Sequence, residues 1–215
     1  MLMEIYNTLC NHYGQQHWWP GDSCDEIIIG AILTQNTNWQ NVEKAINNLK
    51  NADCLSFEKL HALDTNALAA LIRPAGYYNI KAGRIKNFLN WLFDNYNGSI
   101  ETLENFDTDR LRQELLTVRG IGKETADSIL LYAFARAVFV VDAYTWRIMS
   151  RHRLIEPDID YEELRAFFEY NLPPDEKLFN EYHALLVRLG KENCKTKARC
   201  QNCPLEHLPH ENQDI

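Results

Sequence analysis

Positive charge is scarce in this chain of 215 residues: 22 Lys and Arg stand against 30 Asp and Glu, a formal net charge of −8. That balance speaks against a uniformly basic nucleic-acid-binding surface. A localised basic face stays open, because the cations are grouped at Lys81, Arg84 and Lys86, at Arg147, Arg151 and Arg153, and at Lys191, Lys195, Lys197 and Arg199. No Lys or Arg precedes Lys44, so MLMEIYNTLC lacks the basic n-region of a secretory signal. Long apolar runs are missing too. The longest, Ile27–Leu33, is far short of the roughly 20 residues a bilayer span takes. These absences predict a cytoplasmic protein with no membrane partner. Repeats and low-complexity linkers are also absent. At 46% hydrophobic and 24% charged residues, the chain can bury one sizeable core or two small ones.

What the chain does have is helical periodicity. WQNVEKAINNLKN is apolar at the i, i+3, i+4, i+7 spacing, while DEIIIGAILTQ has the fully apolar middle of a buried helix. DTNALAALIRP sets an Asp ahead of its apolar face and a proline behind it, and KAGRIKNFLNWLFDNYNG reads as a long helix closed by Asn-Gly. Helices are also predicted in EIYNTLCNHYG, SFEKLHAL, DTDRLRQELLTV, KETADSILLYAF, VDAYTWRIMSRHRL, DYEELRAFFEYN and DEKLFNEYHALLVRLGKEN. Only AVFVVD has the β-branched look of a strand, and it is too short to imply a sheet. About ten helices with short connections make an all-α protein.

The segment RGIGKETAD, residues 119–127, carries the first chemical signal. Glycines at Gly120 and Gly122 let the backbone take positive φ and approach another molecule. The turn feeds a helix whose first amides are unpaired and sit at the positive end of the dipole, which suits a DNA phosphate. On G-x-G alone, a tight helix connection with glycine as an ordinary cap is the favoured reading. The flanking helices make the whole a helix-hairpin-helix. About twenty residues later VVDAYTWRI places Asp142 at a helix start, a natural N-cap.

These segments, with LTQNT, RPAGYYNIKAGRI and a C-terminal Cys segment, resemble the helix-hairpin-helix DNA glycosylases of the endonuclease III superfamily over nearly the whole chain. The resemblance implies an endonuclease III-like fold of two domains. One is a six-helix barrel over residues 21–134, ending in the hairpin; the other joins residues 1–20 and 135–215. It implies a monomer that acts on double-stranded DNA carrying a damaged base, in base-excision repair and at the bacterial nucleoid. Asp142 is then catalytic, facing the sugar carbon where positive charge develops and orienting or deprotonating the attacking water. Gln35 in LTQNT matches the residue that fills the gap left by a flipped nucleotide, with an amide able to donate and accept. Gly120, Gly122 and Lys123 would hold phosphate.

Bifunctional members of the superfamily read G-x-G-x-K-T-A, and the lysine amine forms a Schiff base with the sugar. Here the matching residue is Glu124, and Lys123, one position earlier, is turned by about 100° on a helix. The departure implies a monofunctional glycosylase without lyase activity. WWP before the second helix and an aromatic after LTQNT are similar to the bacterial 3-methyladenine subgroup. Trp18, Trp19 and Trp39 would form a stacking pocket for a cationic methylpurine, tuned by Glu124. Core packing is the plainer role for such tryptophans. A bifunctional enzyme on oxidised pyrimidines using Lys123, and a non-catalytic lesion binder, are the alternatives.

Three cysteines, Cys194, Cys200 and Cys203, cluster in ENCKTKARCQNCPLEHLPH, while Cys10, Cys24 and Cys54 are scattered. Without a secretion signal the cluster favours metal over disulfides. The superfamily's [4Fe–4S] pattern is C-x6-C-x2-C-x5-C. This chain has five residues in the first gap, and its fourth position falls on Pro209. A cubane takes four thiolates, although His207 or His210 could complete a Cys3His site equally suited to zinc. A degenerate loop that has lost its cluster is the preferred reading, and no cofactor is needed for the chemistry.

Overall fold

The computed structural model describes residues 1–19 and 21–211. Pro20, the third residue of WWP, lies outside the described residues. Among those described, twelve α-helices and a 3-10 turn form and no strand does, so the protein is all-α. None of these helices is long and apolar enough to cross a membrane. The chain divides into two compact units, Pro20–Phe134, and Met1–Trp19 with Ala135–Ile215.

The Pro20–Phe134 unit holds α2 (Cys24–Leu33), α3 (Trp39–Asn51), α4 (Phe57–Ala62), α5 (Thr65–Leu71), the 3-10 turn (Arg73–Ala75), α6 (Tyr78–Tyr96), α7 (Ile100–Glu104), α8 (Thr108–Thr117) and α9 (Lys123–Tyr132). Local chemistry sets most of the starts. Ser23, Asn38, Ser56, Asp64, Ser99 and Asp107 each accept a backbone N–H of the following first turn. Residues Ile28 to Leu33 of α2 and Thr125 to Tyr132 of α9 are buried on every face. The two helices pack on each other at the centre of the unit.

Polar groups pin this core. Arg112 of α8 meets Asp127 of α9 through two parallel bonds, Nε to Oδ1 at 2.6 Å and Nη2 to Oδ2 at 3.1 Å. Their side chains are 8% and 0% exposed. Lys81 of α6 is 1% exposed, and its Nζ donates to Leu33 O at 2.8 Å and Ala75 O at 2.7 Å. Burial, reinforced by nearby Arg84, pulls its pKa down to about 8. Lys86 donates to the carbonyls of Leu60, His61 and Leu63 at the end of α4. Lys81 and Lys86, two of the three cations of the group that includes Arg84, are therefore spent inside the unit, where they satisfy helix-end carbonyls.

In the other unit stand α1 (Leu2–Tyr13), α10 (Ala143–Arg151), α11 (Tyr161–Asn171) and α12 (Glu176–Glu192). Phe139 stacks on Phe168 with centroids 4.0 Å apart and meets Phe179 edge-on. The Tyr182 hydroxyl donates to Leu2 O at 2.9 Å, tying α12 to α1. The strand-like AVFVVD is an extended connection, with Val138 to Val141 buried in this core. It pairs with no strand among the described residues; the Phe139 amide donates instead to Glu169 Oε1 at 2.9 Å. Its β-branched run reflects burial, not a sheet.

Two predictions follow from the pins. Asp127→Ala leaves the Arg112 charge buried without its carboxylate and should lower unfolding free energy by about 3–5 kcal/mol in urea titrations. Lys81→Met strands two buried carbonyls, at about 1–3 kcal/mol each. Between pH about 8 and the unfolded-state value of about 10.4, the unfolded chain holds the Lys81 proton that the folded one has shed. Wild-type stability should gain with rising pH over that window relative to Lys81→Met, as measured by urea unfolding at several pH values.

Candidate active site

The hairpin between α8 and α9 is anchored by its aliphatic residues: Val118 and Ile121 are 4% and 5% exposed, and the Ile121 amide donates to Val118 O at 3.0 Å. Gly120 adopts φ +100, and a Cβ there would stand 2.5 Å from Arg84 Cγ. Gly122 differs from the sequence expectation. It is the N-cap of α9 at φ −94 and ψ 178, ordinary extended backbone, with nothing within 4 Å of a built Cβ. An N-cap takes such angles with any residue, so only Gly120 needs to be glycine for conformation. Gln35 Nε2 donates to Gly120 O at 3.2 Å, and Gln35 Oε1 accepts from Arg84. Asn87 Nδ2 donates to Arg119 O at 2.9 Å. The turn is held rigidly from α6 and from the end of α2.

Lys123 and Glu124 follow in the first turn of α9, both exposed. Trp39, half-buried, opens α3 in the same unit. Trp18 and Trp19 belong to the other unit, half-buried, with rings edge-to-face at 5.4 Å.

Asp142, also in that other unit, caps α10. Its Oδ1 accepts the Thr145 amide at 2.8 Å and the Thr145 hydroxyl at 3.0 Å. Its Oδ2 stands 3.7 Å from His183 Nε2 of α12, and the Asp142 side chain is 13% exposed. Burial works to raise the carboxyl's pKa. The adjacent His183 ring and the two Thr145 donors outweigh it and hold the carboxyl below the usual carboxylate range. An ionised acid fixed in this way suits stabilisation of a developing cation. His183 escaped the sequence reading; nothing in the pattern of a buried helix face marks one histidine as an acid's neighbour.

The cysteine loop has a different organiser. Cys194, Cys200, Cys203 and His210 line one cavity of about 20 Å³, room for about one water. Arg151, 3% exposed, donates into it to Cys194 Sγ at 3.2 Å and to the carbonyls of Lys195 and Thr196. Arg147 Nε donates to Cys194 O at 2.7 Å. Burial raises the Cys200 and Cys203 thiols toward their neutral form. Among the described residues no three or more His, Cys, Asp or Glu side chains are arranged to hold a metal ion. Three thiols are one donor short of the four thiolates that a [4Fe–4S] cube takes. The basic group around Arg147 and Arg151 thus also turns inward.

A family model described as HhH-GPD superfamily base excision DNA repair protein matches residues 29–174. A protein of Methanocaldococcus jannaschii assigned provisionally as a DNA repair glycosylase is 50% identical over 210 residues, 97% of this chain and 95% of that one. Among solved structures, the H. pylori 3-methyladenine DNA glycosylase bound to 1,N6-ethenoadenine matches with a TM-score of 0.78 and 31% identity, over 89% of this chain and 97% of that. A trapped endonuclease III–DNA covalent intermediate matches with a TM-score of 0.81 at 22% identity, over 97% and 95%, which shows the shared endonuclease III-like fold.

The two glycines of the hairpin should respond differently to the same change. Gly120→Ser forces a side chain into positive φ against Arg84 and should destabilise by more than about 1 kcal/mol. Gly122→Ser supplies an N-cap hydroxyl and should be neutral or stabilising. Thermal unfolding of the two variants beside wild type checks this.

Proposed function

The chain belongs to the HhH-GPD superfamily of base excision DNA repair proteins, and within it we propose a monofunctional DNA glycosylase that flips an alkylated purine, 3-methyladenine in the first place, from double-stranded DNA and hydrolyses its glycosidic bond. The observation that carries this reading is Glu124, exposed in the first turn of α9 beside the hairpin. A carboxylate there cannot form the Schiff base of a lyase, and it is a favourable neighbour for a cationic base. A 3-methylpurine is already positively charged and leaves readily, so the protein needs to stabilise the sugar cation more than to protonate the base.

Asp142 supplies that stabilisation. One oxygen is committed to the N-cap, which fixes the carboxylate, and the group is kept ionised in a largely buried setting. Water, oriented or deprotonated by Asp142, completes the hydrolysis, and the reaction draws on no cofactor. The likeness to the H. pylori 3-methyladenine enzyme at 31% identity supports the choice of base. Within its unit, the edge-to-face pair of Trp18 and Trp19 offers aromatic surface on which a base can stack. DNA is the partner, gripped through the hairpin, where Arg119 and Lys123 are exposed.

Asp142→Asn retains a side-chain cap for α10 and should keep DNA affinity while base release falls by on the order of 10²-fold or more. A variant that releases base at the wild-type rate would leave a different group as the catalyst. Borohydride added to the wild-type reaction should trap no protein–DNA adduct; a trapped adduct would mean that Lys123 attacks the sugar.

A further inference from the structure

We propose that His183 is a positioning residue for Asp142, its ring set against the second carboxylate oxygen so that this oxygen stays ionised and aimed. The proposal rests on Asp142 acting as described above. The two oxygens of Asp142 are not equivalent. Oδ1 is saturated by the Thr145 amide and hydroxyl, so Oδ2 is left for chemistry, and Oδ2 is the atom His183 Nε2 approaches at 3.7 Å. That separation exceeds a hydrogen bond, so the ring acts chiefly through charge and dipole. With the two side chains only 9% and 13% exposed, such a field is weakly screened.

The packing of α10 on α12 is built to make this approach. Gly190 lies two turns beyond His183 on the same face of α12, and a Cβ at Gly190 would fall 2.3 Å from the Tyr144 ring. Tyr144 is two residues from Asp142, so the missing side chain lets the start of α10 close on α12. Some other charged groups of α10 and α12 are engaged elsewhere. Arg147 and Arg151 of α10 reach the carbonyls beyond α12. On α12, Glu181 accepts the Gln16 amide and Arg188 pairs with Glu192. Tyr6 of α1 lies edge-on to Tyr182.

The test uses the full-length protein, with His183→Leu to remove the polar ring and His183→Gln to keep a polar side chain. First, ¹³C NMR of labelled aspartate follows the Asp142 carboxyl without DNA. His183→Leu should move its titration midpoint up by on the order of one pH unit, since burial then acts with less opposition. His183→Gln should move it less. Second, single-turnover release of 3-methyladenine should fall about tenfold or more in His183→Leu and be largely restored in His183→Gln, while DNA affinity changes by less than about twofold. An unmoved midpoint in both variants, or an undiminished release rate in His183→Leu, overturns the positioning role. If the midpoint moves but wild-type protein releases no methylated base, the coupling of the two side chains stands and the assigned reaction is what fails.

Discussion

The paired bonds between Arg112 and Asp127 are the constraint on which the hairpin depends. They join α8 to α9 inside the core, and a two-pronged guanidinium–carboxylate contact fixes rotation as well as distance. Glu124 lies three residues before Asp127, so the rotation that satisfies the pair also sets the bearing of the first turn of α9. A buried ion pair of this kind contributes little net stability against an apolar replacement, yet breaking it strands a charge. Its value here is register. Gly120 then turns the chain, Gln35 and Asn87 hold the turn's carbonyls, and Lys123 and Glu124 emerge exposed in the first turn of α9.

The second unit solves a related problem with one acid. Asp142 is held ionised, fixed and largely buried, three conditions that conflict because burial favours the neutral form. Capping α10 resolves part of the conflict by giving Oδ1 two donors from Thr145. The approach of His183 resolves more of it, and Gly190 makes room for that approach. The two oxygens thus have different settings, Oδ1 in the helix cap and Oδ2 facing His183. The loop of Cys194, Cys200 and Cys203 shows the same economy: Arg151 and Arg147 bind its carbonyls and a thiol from within.

Much of this was legible in the residues. Helix starts were readable where a Ser, Asp or Asn preceded an apolar stripe, because capping is a local interaction. The hairpin and the Asp142 cap were readable because each is contained in a short stretch of chain. What could not be read were partnerships across the fold. Lys81, Lys86 and Arg151 look like surface cations until the carbonyls they satisfy are brought to them from distant segments. Gly122 looks like Gly120 in sequence, and only the backbone angles separate a required glycine from a permitted one. AVFVVD has a strand's composition because burial and sheets favour the same residues. His183 is invisible from a helix pattern, since its meaning lies in an acid 41 positions away.

The most direct test of the central claim is how DNA strands break after the protein has acted on duplexes carrying 3-methyladenine and, in parallel, thymine glycol. The account predicts release of the methylated base with strand breaks only after alkali, and little action on thymine glycol. Scission of thymine glycol DNA without alkali would contradict it, because an amine would then be doing the chemistry proposed for water.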